Sequence, residues 1–378
     1  MGTRHGHTVR PVCAAAIVVG VFGCSAEVYI AEVPDEGGLA QDAAVVVSFQ
    51  SCAPGGHGLD DCGPAPGESC CTSLEVDGGT YYRTYTNDGG GPTGEADQAT
   101  VDGLRVDKYL VTVGRFRQFV NTWETSDWMP REGSGIHTHL NDGYGLVAVG
   151  ADGGQGYESG WDATEWNTDA DIDPTSDNLT SNCFLQNYAT WMSTPSADGS
   201  SERLPINCVT WYEAYAFCIW DGGFLPSEAE WEYTAAGGGG PTGQREYPWG
   251  STAPATSQYA IYACNYPDGA DASTGCTSVE NIAPVGTATL GAGAWGQLDL
   301  AGDLVEWTLD WSSQAYVSPC LNCAYLLANP SMAASMSRVM RGAYFLSGDT
   351  SLMPSSLGLS FSPQYRTALA GFRCARTA

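Results

Sequence analysis

Between residues 299 and 306 the chain reads Asp-Leu-Ala-Gly-Asp-Leu-Val-Glu. Hard oxygen donors crowded into one short turn are what a calcium ion needs. A second pair of potential ligands is His137 and His139, set two residues apart in an acidic stretch with Glu132 and Asp142 nearby. The two imidazoles with one carboxylate could hold iron; the reading preferred here is two solvent-facing loop histidines. Cys320-Leu321-Asn322-Cys323 has the spacing of a redox pair. That use normally sits at a helix start, whereas this segment follows Pro319 in a loop-like stretch. A disulfide, or one half of each of two bridges, is expected instead. Ser347 and Ser351 have no histidine near them in the sequence to activate a hydroxyl, so a hydrolase triad is not supported.

Three helices are expected to position these groups. The first follows Thr112 as N-cap, with Phe116, Phe119, Val120 and Trp123 recurring at helical spacing. The second opens on the capping box Thr210-Trp211-Tyr212-Glu213, buries Trp211, Ala214, Phe217 and Cys218, and exits at Gly222-Gly223. The third opens on a second capping box, Ser227-Glu228-Ala229-Glu230, and stops at Gly237. Elsewhere short apolar runs alternate with Gly, Pro, Asn and Asp clusters, which reads as an α+β domain of short strands and many loops. Residues 124–182 form an acidic, glycine-rich insertion carrying Trp128, Trp161 and Trp166. A loop of that length is usually functional or partly disordered.

The formal charge is −28, from 15 basic and 43 acidic residues. Such a field repels phosphate backbones and excludes nucleic acid as a partner. At the N-terminus Arg4 and Arg10 precede an apolar run, Ala14 to Phe22, too short to span a bilayer. Val21-Phe22-Gly23-Cys24 approximates a lipobox, so residues 1–23 read as a signal peptide and Cys24 as the lipidated N-terminus of an exported envelope protein. The membrane would then be met through a lipid anchor, on an outer-membrane or periplasm-facing lipoprotein. Residues 24–75 read as a tether followed by a cysteine-rich piece.

Of 14 cysteines, Cys13 lies in the signal and Cys24 would carry lipid. Twelve remain: Cys52, Cys62, Cys70, Cys71, Cys183, Cys208, Cys218, Cys264, Cys276, Cys320, Cys323 and Cys374. An even number in an exported chain suits disulfides, with the connectivity open. Cys52 to Cys71 lie in a segment with few large apolar residues, so crosslinks are its expected organiser.

The blocks VDGGTYYR (76–83), VDKYLVTVGRFRQFV (106–120), LPINCVTWYEAYAFCIWDGGFLPSEAEWEYTAAGG (204–238), YPWG (247–250), APVGT (283–287), WGQLDLAGDLVEWTLDW (295–311), RVMRGAYF (338–345) and GFRCAR (371–376) occur in one order. Together they resemble the formylglycine-generating, or sulfatase-modifying factor, family. The resemblance implies a decorated C-type-lectin-like α+β fold over residues 76–378. It implies a structural calcium held by the Asp299 and Glu306 side chains and the Gly302 and Leu304 carbonyls, with Asp standing at 299 and 303 where the family usually has Asn. A weaker calcium site maps to Asn265 and Tyr266 with Thr277 and Val279, Thr277 replacing a carboxylate.

The family's oxidases hold copper(I) with two thiolates. Counted from Arg341-Gly342, those positions fall on Ser347 and Leu352, and residues 341–373 contain no cysteine. A hydroxyl and an alkyl chain cannot replace a soft thiolate pair. Related iron enzymes draw histidines largely from a separate helical domain, for which this sequence shows no counterpart. The function expected is therefore a catalytically degenerate, calcium-stabilised binding module at the cell envelope, holding a protein, a peptide or an envelope polymer. The alternative is an iron or copper oxidase of the same superfamily with an altered site.

Overall fold

The computed structural model describes residues 49–53, 59–87, 91–126, 128–150, 155–167, 172–238, 243–267, 276–313, 315–327, 336–348, 350 and 354–378. All of these belong to one compact body, 47–378; residues 1–46, with the expected signal and Cys24, lie outside the described residues, as does Leu352. Among the described residues no helix is long and apolar enough to cross a membrane.

Among the described residues, four small sheets and three α-helices build the body. Strands β1 (Ser73–Val76), β4 (Leu104–Asp107) and β13 (Ala375–Thr377) form one sheet. In a second, β2 (Gly79–Tyr82), β3 (Gln98–Val101) and β8 (Cys320–Leu321) are neighbours. A third orders β6 (Gln155–Tyr157), β5 (Val147–Gly150) and β9 (Cys323–Leu327). The fourth runs β11 (Gly358–Phe361), β10 (Arg338–Arg341), β7 (Val305–Trp311) and β12 (Ala370–Gly371), with β10 antiparallel to β7 and β12 parallel to it.

The helices are α1 (Val113–Ser126), α2 (Trp211–Trp220) and α3 (Glu228–Ala236). Each starts where the capping chemistry places it. The Thr210 hydroxyl accepts from the Glu213 amide at 3.1 Å, and the Thr210 amide donates to the Glu213 carboxylate at 3.0 Å. Ser227 and Glu230 repeat the exchange at 3.2 and 2.8 Å. Helix α2 is buried all round rather than on one face. Its Phe217 stacks on Phe116 of α1, and both rings meet Phe372 edge-on.

The body begins earlier than the expected boundary at residue 76. The cysteine-rich segment is crosslinked within itself by Cys52–Cys71 and Cys62–Cys70. The Ser51 amide donates to buried Asp221, and the Tyr109 hydroxyl donates to the Cys62 carbonyl. A segment without its own core is thus crosslinked and seated on a larger one. The insertion is likewise less free than its composition suggests. Trp161 is fully buried, and Trp128 and Trp166 pack against the main core. These tryptophans do not form an outward-facing grip, because the α2 face beneath them is itself aromatic: Trp161 and Trp166 meet Trp211, Tyr212 and Tyr215.

Candidate functional site

Two places carry residues singled out in the sequence, and a third is a cleft. The first is the 299–306 turn. Asp299, Gly302 and Asp303 all have positive φ, at 60°, 85° and 62°. Asp and Asn tolerate that region better than other side chains, which explains why either serves at 299 and 303. The Gly286 amide donates to Asp299 at 2.7 Å, and the Ala283 amide donates to Asp303 at 3.0 Å. Burial raises the Asp299 carboxyl to about 6. Burial, with the Asp299 charge beside it, raises Asp303 as well. Among the described residues no cationic side chain forms an ion pair with either, though Arg373 and Lys108 act on Asp299 through space.

Glu306, by contrast, is paired with a cation of the chain itself. Its two oxygens take the Arg373 guanidinium at 2.7 Å each, and the Trp231 indole donates to one of them at 2.9 Å. Both partners are buried. Of the expected four-ligand calcium set, the Glu306 carboxylate is thus already paired with Arg373.

At the weaker calcium site Asn281 links the two segments. The Asn281 side chain donates to the Tyr266 carbonyl at 3.0 Å and accepts from the Thr277 amide at 2.9 Å. Asn265 closes its own turn, accepting from the Tyr262 amide and donating to the Ala260 carbonyl. A neutral amide thus links the segments a cation would have to link.

The second place is the loop after β10. Ser347 is buried, and its hydroxyl accepts from the Tyr344 amide at 3.2 Å. Its carbonyl accepts from Ala263 at 2.9 Å, next to the Cys264–Cys276 bridge. All twelve remaining cysteines are paired: Cys183–Cys208, Cys218–Cys374 and Cys320–Cys323 complete the set.

The third place is a polar cleft of about 480 Å³ between β7, β10, β11 and the start of α3. Arg341 sits at its floor, donating to Glu228, to Glu232 at 3.0 Å and to the Tyr316 hydroxyl at 2.7 Å. Ser312, Ser313, Ser356 and Ser360 line it. Burial raises the Glu232 carboxyl to about 8, against the opposing charge of Arg341. The sequence reading missed this cleft. The signal available was polar Glu228 and Glu232 on a helix whose remaining positions are almost all apolar or small.

The histidines are not solvent-facing. His137 is fully buried between two carboxylates, with Nδ1 at 3.0 Å from Glu158 and Nε2 at 3.1 Å from Glu230. Burial works against its charge, but Glu230 and Glu158 outweigh it and raise the imidazolium to about 10. The Glu230 that caps α3 therefore also anchors the insertion. Glu132 and Asp142 remain exposed, and Glu132 accepts from the Ala163 amide. Among the described residues no group of three or more His, Cys, Asp or Glu side chains is gathered to hold a metal.

The sulfatase-modifying factor enzyme 1-like domain model matches residues 59–378. The formylglycine-generating enzyme of Thermomonospora curvata is 31% identical over 195 residues, covering 48% of this chain and 59% of that protein. Hercynine oxygenase of Mycolicibacterium smegmatis is 36% identical over 104 residues, 28% of this chain and 21% of that protein. The inactive C-alpha-formylglycine-generating enzyme 2 of Mus musculus is 34% identical over 118 residues, 30% of this chain and 36% of that protein. In each case the match spans less than two thirds of the relative's length.

Proposed function

The chain belongs to the sulfatase-modifying factor enzyme 1-like family, and from that premise we propose that it is a catalytically degenerate member serving as an exported binding module. One observation carries the reading. The thiol position after β10 is a serine engaged in holding its own turn, and all twelve cysteines from Cys52 to Cys374 are in disulfides. Copper(I) needs soft thiolate ligands, and none of these sulfurs is free to become one. A relative whose name records inactivity sits beside active ones in the same family. The iron alternative loses its expected ligand, since both nitrogens of His137 are engaged by glutamates.

Six disulfides suit an oxidising compartment, which supports export and lipidation at Cys24. The cleft over Arg341 is the surface proposed to hold a peptide or envelope polymer. Its hydroxyl rim and the edge strand β11 offer hydrogen bonds rather than an apolar pocket. Calcium enters this reading through Asp299 and Asp303, not Glu306.

The test is copper(I) titration of the protein as isolated, without reductant, with thiols counted by alkylation and mass. The reading expects no free thiol among the twelve and no stoichiometric copper retained after desalting. One copper per chain with a matching pair of labelled thiols would overturn it.

A further inference from the structure

On the opposite side of β10 from the cleft, Arg338 is buried and, among the described residues, has no carboxylate partner. Its guanidinium lies between two indoles, 3.7 Å from the Trp211 ring centre and 3.4 Å from that of Trp311. Nη1 donates to the Leu309 carbonyl at 2.6 Å, while Nε has no partner. A buried cation left this way is costly unless something compensates it. Stacking on two aromatic faces supplies part of that compensation.

A small cavity of about 90 Å³ adjoins the guanidinium, with Glu158, Ser159 and Tyr215 on its wall. Glu158 is not the missing counter-ion, because it accepts from His137 and the Leu146 amide. The Tyr215 hydroxyl donates to the Ser134 and Gly135 carbonyls. Asp310, the nearest carboxylate to act on Arg338 through space, accepts from the Glu228 and Tyr325 amides instead.

We propose that this cavity is a binding site for a single carboxylate group, held edge-on by Arg338 in the slot between Trp211 and Trp311. The shape selects the class. With two indole rings within 4 Å of the guanidinium carbon and a third, Trp166, 5.9 Å away, the side left for a ligand is an edge. A planar carboxylate can meet that edge with two parallel hydrogen bonds, whereas a tetrahedral phosphate would press its out-of-plane oxygens into the indoles. The cavity admits a group with one or two carbons attached, from a small free acid or from the end of a longer chain. The inference does not depend on the binding-module reading, since it uses neither the cleft nor Ser347.

The test is melting temperature and tryptophan fluorescence of the full chain in acetate, in acetamide and in chloride at matched ionic strength. A rising melting temperature and a saturating fluorescence change are expected with acetate alone. Arg338→Met, which keeps a stem between the indoles but removes the charge, should lose both responses; Arg338→Lys should keep a weaker one. A short peptide with a free C-terminus, compared with its C-terminal amide, separates the sources: a response to the free peptide marks a chain end, and a response to acetate only marks a small acid. Equal effects of acetate and acetamide would overturn the proposal, as would an undiminished response in Arg338→Met. If that variant fails to fold, the acetate-acetamide contrast in the wild type still decides.

Discussion

The 299–306 turn and the loop at 345–348 touch, the Phe345 amide donating to the Asp303 carbonyl at 2.9 Å, yet they have kept different things. The turn keeps charge: Glu306 is locked on Arg373 of the GFRCAR block, and the Asp299–Asp303 pair stays buried beside it. The loop keeps only shape. A serine hydroxyl there holds the Tyr344 amide, which a thiol could not do as well. On the proposed reading, the scaffold of the family and its redox chemistry are separable.

The largest effect that would break this comparison lies on the turn side. Glu306→Ala strands the buried Arg373 guanidinium, and losing one partner of such a pair costs about 3–5 kcal/mol. Urea unfolding should show that loss with and without calcium. A cost below about 1 kcal/mol, in the range of exposed pairs, would mean the turn is not held by charge. Next comes Cys218–Cys374, which ties α2 to the C-terminal block across 156 residues. Replacing both cysteines with alanine should cost about 2–5 kcal/mol, read by the same unfolding curves.

His137 sharpens the comparison through pH. Its pKa is about 6.5 when unfolded and about 10 when folded. Because the folded value is the higher, its stabilisation is complete below about 6.5 and disappears as pH rises through about 10. The stability gap between wild type and His137→Gln should be widest near pH 6 and close toward pH 10. A gap that widened with pH would reverse the assignment.

Calcium effects should be smaller and confined to the aspartates. Saturation at a hundredfold over the dissociation constant adds about 2.7 kcal/mol. Chelator should lower the melting temperature of wild type but not of Asp299→Ala combined with Asp303→Ala. The smallest change is expected for Ser347→Cys, within about 1 kcal/mol, the worth of one hydrogen bond.

Much of the frame was legible. Capping boxes announced α2 and α3 because Thr210 and Ser227 place a hydroxyl three residues before a glutamate, a purely local relation. The even cysteine count announced disulfides, but not that Cys218 meets Cys374, a pairing set by tertiary packing. The 299–306 turn was visible as a carboxylate cluster, whereas the capture of Glu306 by Arg373 joins positions 67 residues apart. His137 looked like a loop residue because its partners, Glu158 and Glu230, lie 21 and 93 residues away. The Arg338 sandwich was hidden for the same reason: arginine on a buried strand reads as a misfit until two distant tryptophans close over it.

The central claim is loss of copper oxidase chemistry on an intact family scaffold. Reduced protein loaded with copper(I) and given oxygen and a peptide containing Cys-Xaa-Pro-Xaa-Arg tests it directly, with aldehyde formation followed by mass. The account predicts no aldehyde above a metal-only control; turnover above that control, abolished by removing a cysteine of this chain, would contradict it.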